Sequence, residues 1–265
     1  MTKTIVVTGS TRGIGFGLAH EFLQRGCRVI VNGRSQSAVD QAVSDLAARH
    51  GADRVGGFPA DMTVYDQVQS LWDQSIKRFG RIDIWINNAG VAHPDVEFWK
   101  LPITEIDKTV GINLIGLMYG SRVAINGLLA QGGGYVHNMY GFGSTGRYRN
   151  GMSIYGSTKR AVNYFTETLV KELANQPVKV GSLSPGMVVT DLVSEQYKER
   201  PQDFQRAKDA FNLLGDRVET VTPWLADRVL KTDRTGANIQ WLTSGKLFSR
   251  LLMSRFKKRD LFKES

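Results

Sequence analysis

Seven short apolar runs recur along the chain, separated by longer stretches in which apolar residues return every three or four positions. The runs are TIVVTG (4–9), RVIVNGR (28–34), RVGGFPAD (54–61), IDIWINNAG (82–90), YVHNMYG (135–141), VKVGSLSPG (178–186) and ANIQWLT (237–243). Their length and their Val and Ile content predict buried strands. Between them, Leu18, Ala19, Phe22 and Leu23 fall at helical spacing and Gly26 follows as a stop. Val162, Phe165, Leu169, Val170 and Leu173 repeat that pattern after Tyr155. Strand and helix in alternation predict an α/β fold, a doubly wound parallel sheet of about seven strands with helices on both faces. Right-handed crossovers place ligands of such a sheet at the carboxyl ends of its strands.

The pattern breaks between Asp191 and Thr222, where the chain is polar, charged and helix-prone. That stretch follows a strand, so it is expected to lie over the ligand end as a lid (191–222). Its Tyr197, Phe204 and Phe211, with the later Trp224, suit a flat apolar ligand and suit plain packing equally. Residues 1–245 read as one domain containing this lid. Residues 246–265 read as a separate basic, amphipathic C-terminal helix.

Composition narrows the classes. A chain of 265 residues with 42% apolar and 22% charged side chains suits one large soluble domain. The single cysteine, Cys27, excludes an internal disulfide and a cysteine-built metal site. The four histidines, His20, His50, His93 and His137, lack metal-ligand spacing, so no metal is expected and surface or core roles are assigned to them. No signal sequence precedes the first strand, and no stretch reads as the roughly 18–20 apolar residues of a membrane span. The expectation is a soluble, cytoplasmic or membrane-peripheral protein.

The net charge is +9, and residues 245–265 carry seven Lys or Arg against two acids. A basic tail suits nucleic acid, anionic lipid or acidic partners. No zinc-finger or RNA-binding signature accompanies it, which argues against nucleic acid. Leu247, Phe248, Leu251, Leu252 and Phe256 form one helical stripe, bordered by Lys246, Arg250, Arg255, Lys257, Lys258 and Arg259. Such a helix either lies on an anionic membrane or packs on its own core or a neighbouring subunit.

The first strand ends in TGSTRGIG, Thr8 to Gly15. Gly9, Gly13 and Gly15, with Ser10, Thr11, Arg12 and Ile14 between them, bridge a strand and a helix. Small residues admit a pyrophosphate, and the helix N-terminus offers unpaired N–H groups and partial positive charge. A glycine-rich turn alone is a weak signal; placed after an N-terminal strand it points to a Rossmann-type dinucleotide site. The second strand ends at Asn32, Gly33 and Arg34, where an NAD enzyme keeps an acid for the ribose hydroxyl. Arg34 and Arg12 instead suit a 2′-phosphate, which favours NADPH over NADH.

Five further motifs follow in order: AD (60–61), NNAG (87–90), GINLIG (111–116), YGSTK (155–159) and SPG (184–186). With the glycine turn they resemble the short-chain dehydrogenase/reductase family, single-domain type, from about residue 3 to 245. The resemblance implies that Asp61 and Met62 flank the adenine and that Asn88, Ala89 and Gly90 line the cofactor. It implies that Pro185, Gly186, Val188 and Thr190 cradle the nicotinamide side. Tyr155 is then the general acid in carbonyl reduction. Lys159, one helical turn on, lowers the phenol pKa and binds the nicotinamide ribose. Asn113 holds the water that replenishes the proton, and homo-oligomers form through the helix that bears the tyrosine.

One family residue is missing. A serine is expected about thirteen residues before the tyrosine, but counting back gives Phe142, and aligning the strand end gives Gly141. Ser144 is the nearest serine downstream, and Tyr140 places a phenol beside the slot. Three readings follow: Ser144 replaces the serine, backbone N–H groups of the loop replace it, or catalysis is weak or lost. The segments NMYGFGS, SPGMVVTDL and IQWLTSGKLFSRLL resemble the chlorophyll b reductase branch of the family. That branch implies reduction of the 7-formyl group of chlorophyll b or chlorophyllide b, a small but bulky hydrophobic substrate. A general reductase for acyl, steroid or retinoid substrates, and an NADP(H)-binding sensor or scaffold, are the alternatives.

Overall fold

The computed structural model describes residues 2–190, 201–254 and 259–262. All seven apolar runs are strands of one parallel sheet: β1 (Thr4–Val7), β2 (Arg28–Gly33), β3 (Val55–Pro59), β4 (Ile84–Asn87), β5 (Gly134–Met139), β6 (Val178–Ser184) and, at one edge, Asn238–Gln240. The last is β9, because two short strands intervene: β7 (Met187–Val189) and β8 (Gly215–Arg217). The order β3-β2-β1-β4-β5-β6-β9 reverses direction of growth at β1, with β1 flanked by β2 and β4. A crevice opens at such a switch point, beyond the carboxyl ends of the strands.

Side-chain alternation sorts the strands' residues between two helical layers. Ile5, Val7, Val29, Val31 and Ile86 face α1 (Gly13–Gln24), α2 (Gln36–His50) and α8 (Val218–Lys231). Val6, Ile30, Trp85, Val136 and Val180 face α3 (Tyr65–Phe79), α5 (Leu117–Ala130) and the C-terminal part of α6 (Ser153–Glu172). These side chains are almost all fully buried, and each contributes roughly 1.5–3 kcal/mol through burial. The predicted stop at Gly26 is real: it takes φ 80°, a conformation that glycine adopts without strain. On the other face, Gly127 of α5 lies so close to Trp72 of α3 that a methyl group there would overlap the indole.

Three expectations are corrected. First, α4 (Ile103–Val110), a π-helical turn (Gly111–Gly116) and α5 run on as 28 helical residues, long and apolar enough by composition to cross a membrane. Nearly half of its most apolar stretch is buried inside the protein, where α5 covers the sheet.

Second, the helix-prone stretch 191–222 contains a strand. Its first ten residues, with Tyr197, lie outside the described residues. Then come α7 (Pro201–Leu214) and β8, which pairs in parallel with β7. Phe204 and Phe211 stand edge-on to Phe262 at 5.1 and 6.2 Å, and Trp224 to Trp241 at 5.5 Å. These aromatics pack on the protein itself.

Third, the tail helix begins before Lys246, and its described part ends at Met253. It is α9 (Ser244–Met253), with Thr243 Oγ1 accepting from the Lys246 N–H as its cap. Its predicted basic border is partly turned inward: Arg250 and Arg259 reach Asp216 of β8 at 2.6 and 3.0 Å, and Lys246 lies over the Trp241 ring. Phe248, Leu251, Leu252 and Met253 stay exposed. Arg255, Phe256, Lys257 and Lys258 lie outside the described residues.

Candidate active site

The glycine turn is built from backbone that only glycine tolerates. Gly9 and Gly13 take φ near +60°, and a side chain on Gly15 would collide with the Gly9 carbonyl and with Asn88 Nδ2. The turn is laced to the fourth strand. Thr8 Oγ1 accepts from the Asn88 and Ala89 N–H groups, both at 3.0 Å. Asn88 Nδ2 donates to the Thr8 and Gly9 carbonyls at 2.9 and 3.0 Å. It is laced to the second strand as well: Ser10 Oγ accepts from the Asn32 N–H at 3.0 Å, and Asn32 Oδ1 accepts from the Gly9 N–H at 3.2 Å.

Beside this turn lies a cleft of about 740 Å³. Of the expected cofactor residues, Gly9, Thr11, Arg12, Asn32, Gly33, Arg34, Asp61, Met62, Ala89 and Gly90 line it. Ser10, Gly13, Ile14, Gly15 and Asn88 do not; Ser10 and Asn88 are held in the scaffold just described. Pro185, Gly186, Val188 and Thr190 are also outside its lining, although Thr190 sits across from Gly13, whose missing side chain would meet it at 3.6 Å. Asp61 uses one carboxylate oxygen to accept from the Thr63 N–H and hydroxyl, at 2.9 and 2.8 Å. Arg12 and Arg34 are exposed at the rim, with Ser35, Gln41 and Asp45 nearby in the wall. Asp45 accepts a hydrogen bond from Gln41 at 2.9 Å.

Tyr155 stands in the first turn of α6, with Lys159 one turn on. The Lys159 ammonium donates to the Met139 carbonyl at 3.1 Å and lies 5.8 Å from the Tyr155 ring centre. Burial pushes the phenol up to about 12 and the ammonium down to about 8. The net shift of the phenol is upward and that of the ammonium downward, because loss of water disfavours the charged form of each group. Asn113, in the π-helical turn, is fully buried. Its Oδ1 accepts from the Val91 N–H at 2.8 Å and its Nδ2 donates to the Val91 carbonyl at 2.9 Å. Its side chain therefore holds the wall of the cleft.

At Gly141 a side chain would overlap the Tyr155 hydroxyl and crowd Lys159 Cε and Cγ at 3.2 Å. The phenol occupies the place of the family serine's β-carbon. Ser144 is buried, and its Oγ accepts from the Gly141 N–H at 3.1 Å. Its hydroxyl caps the turn that carries Gly141, and its carbonyl accepts from Arg160 at 3.1 Å. Gly141's own N–H is used in the same bond. Tyr140 is buried, its hydroxyl accepting from Asn163 Nδ2 at 3.0 Å.

Two residues escaped the sequence reading. Thr8 ties the two central strand ends together, and its place before the first glycine was the available signal. His93, assigned only a bland role, accepts a hydrogen bond from the Tyr155 N–H at 3.1 Å. Nothing in its sequence context announces that contact.

The chain matches the short chain dehydrogenase family over residues 3–201. The chloroplastic chlorophyll(ide) b reductase NOL of Arabidopsis thaliana is 37% identical, over 98% of this chain and 77% of that protein. The probable chlorophyll(ide) b reductase NYC1 of the same plant is 34% identical, over 95% of this chain and 53% of its own length. Among solved structures, the 3-ketoacyl-(acyl-carrier-protein) reductase of Brucella melitensis complexed with NADH superposes with a TM-score of 0.79 at 22% identity, covering 92% of this chain and 98% of that one. Serine dehydrogenase complexed with NADP+ does so at 0.80 and 22%, covering 91% and 95%. These two share the fold. Family match and relatives together place the chain in the short-chain dehydrogenase family, as an oxidoreductase.

Proposed function

We propose that this protein is an NADPH-dependent carbonyl reductase for a bulky hydrophobic aldehyde, reducing the 7-formyl group of chlorophyll b or chlorophyllide b to hydroxymethyl. The observation that carries this reading is the phenol–ammonium pair beside an empty side-chain position at Gly141, in a chain that is similar along nearly its whole length to chlorophyll(ide) b reductases.

The cleft suits the cofactor. Gly9, Gly33, Ala89 and Gly90 keep its walls low beside the turn, and Arg12 and Arg34 present guanidinium donors for a 2′-phosphate. A reduced nicotinamide, when bound, supplies the hydride to the formyl carbon. Tyr155 then gives its proton to the carbonyl oxygen as the C–O bond becomes single. Its raised pKa keeps it protonated through neutral and alkaline pH, ready to act as an acid. Lys159 stabilises the phenolate left behind and is the route by which a proton returns. The Gly141 N–H is taken by Ser144 Oγ, which only accepts in that bond and keeps its own proton to give; the Tyr155 hydroxyl is the proton donor assigned to the carbonyl oxygen. The missing side chain at 141 leaves the phenol room to stand where it does.

The test is NADPH oxidation with chlorophyll b or chlorophyllide b in detergent, followed by chromatography of the pigment. The hydroxymethyl product should form and should vanish in Tyr155→Phe, while NADPH still binds. Product formation by that variant at the native rate would remove the acid assignment. No product with wild-type protein that binds NADPH would remove the pigment assignment. Arg34→Ala should weaken NADPH at least tenfold more than NADH; an unchanged ratio would overturn the choice of cofactor.

A second reading concerns location. Phe248, at 70% exposed, with Leu251, Leu252 and Met253, presents apolar surface on α9, which suits peripheral contact with the bilayer that holds such a pigment. Vesicle flotation of the protein with and without residues 246–265 decides it, and equal behaviour of the two would reject it. Exposed Tyr164 on α6 suits assembly with a second copy of the chain.

A further inference from the structure

The first turn of a helix has N–H groups with no partner inside the helix. In α6 the first internal bond joins the Gly156 N–H to the Met152 carbonyl at 2.8 Å, so the Tyr155 N–H must find its acceptor elsewhere. The N-cap residue, Met152, has no side-chain acceptor to offer. The acceptor is His93 Nε2, 3.1 Å away, from the loop that follows β4.

His93 is held for this task. It is 1% exposed, and its other ring nitrogen, Nδ1, lies 2.8 Å from the Pro94 carbonyl. A carbonyl only accepts, so Nδ1 carries the proton and Nε2 presents a lone pair to the Tyr155 N–H. The loop is fastened on both sides of the histidine. Asn113 grips Val91 through both backbone groups, and Asp95 pairs with Arg149 at 2.6 Å. The same Asn113 contacts Thr158 at 3.4 Å, and Thr158 Oγ1 donates to the Tyr155 carbonyl at 2.7 Å. Both peptide groups of Tyr155 are therefore tied to the wall that carries Ala89, Gly90 and Val91, three residues that line the cleft.

The geometry points to His93 as a positioning residue for Tyr155: an imidazole from the cofactor wall caps the helix that carries the phenol and fixes where the phenol stands. The role rests on Tyr155 being the proton donor, but the cap itself can be tested without turnover.

The experiment measures amide hydrogen exchange of Tyr155 by NMR in NADPH-bound protein labelled with 15N-tyrosine, alongside kcat. Three variants are compared: His93→Ala, His93→Gln and His93→Asn. The glutamine oxygen reaches the position of Nε2 and accepts the same hydrogen bond; the shorter asparagine does not reach it. Exchange at Tyr155 should accelerate about tenfold in the Ala and Asn variants, the size of a lost helix cap, and return to within threefold of wild type in Gln. kcat should follow the same order, with the Kd for NADPH within twofold throughout. A folded His93→Ala protein with native protection at Tyr155 would overturn the cap. So would Gln and Asn variants that behave alike, a comparison that stands even where the Ala variant fails to fold. Normal exchange effects without any pigment turnover in wild type would leave the cap intact and count against the substrate alone.

Discussion

At the scale of single residues, Gly141 is the position where sequence and geometry disagree most usefully. The sequence marks it as a lost serine. In the structure its backbone is ordinary, so glycine is needed there for space and not for conformation: a β-carbon would overlap the Tyr155 hydroxyl. Restoring the family residue by Gly141→Ser should therefore lower kcat by tenfold or more, because the phenol must swing aside, while the Kd for NADPH changes little. A serine variant as fast as wild type would show that the phenol has a second productive position. The Tyr155 and Lys159 pair was legible in sequence because two side chains four residues apart on a helix share a face. Ser144 and His93 were not legible. A serine three residues from a glycine can bond it or face a ligand, and a histidine 62 residues from a tyrosine meets it only through tertiary packing.

At the scale of elements, the seven sheet strands were legible because each is an apolar run between turn residues, buried on both faces. β7 and β8 were not, since three residues carry no periodicity and their pairing depends on what surrounds them. Asp216, at the centre of β8, supplies that context. Its carboxylate is buried and takes Arg250, Arg259 and the Trp241 indole N–H, at 2.6, 3.0 and 2.6 Å. The tail helix and Arg259 beyond it are thus anchored on one acid, which turns two of the six residues of the tail's basic border away from a membrane. Asp216→Asn keeps the shape and removes the charge. It should lower stability by about 1–3 kcal/mol, since it leaves the mostly buried Arg250 without its counter-charge. It should also expose 244–265 to limited proteolysis well before the rest of the chain. Unchanged cleavage at the tail would show that α9 is held by its contacts with α7 instead. The ion pairs could not be read in advance, because the partners lie more than thirty residues apart and the acid sits in a stretch that reads as helix.

At the scale of the whole molecule, stability at low pH turns on a buried residue to which the proposed chemistry gives no part. His137 is in the interior strand β5, fully buried, stacked on Tyr135 at 4.0 Å, and neither ring nitrogen has a hydrogen-bond partner among the described residues. Burial pushes its pKa down from 6.5 to about 3. Between those values the unfolded chain binds a proton at this position and the native state does not. Its contribution is therefore fully favourable above pH 6.5 and is lost as the pH falls toward 3, at about 1.4 kcal/mol for each pH unit. His137→Phe keeps an aromatic ring of similar size against Tyr135 and cannot titrate. Urea unfolding at pH 7 should give equal or higher stability for the variant, because two unpaired ring nitrogens leave the core. At pH 4.5 the variant should be ahead of wild type by about a further 3 kcal/mol, a figure that counts this one proton over two pH units. Carboxylates that titrate in the same range affect both proteins alike, so the difference between them isolates His137. Parallel loss of stability in the two would mean that the ring is hydrated or protonated inside the native sheet, and that β5 tolerates a charge where its neighbours Ile86 and Gly181 offer it nothing.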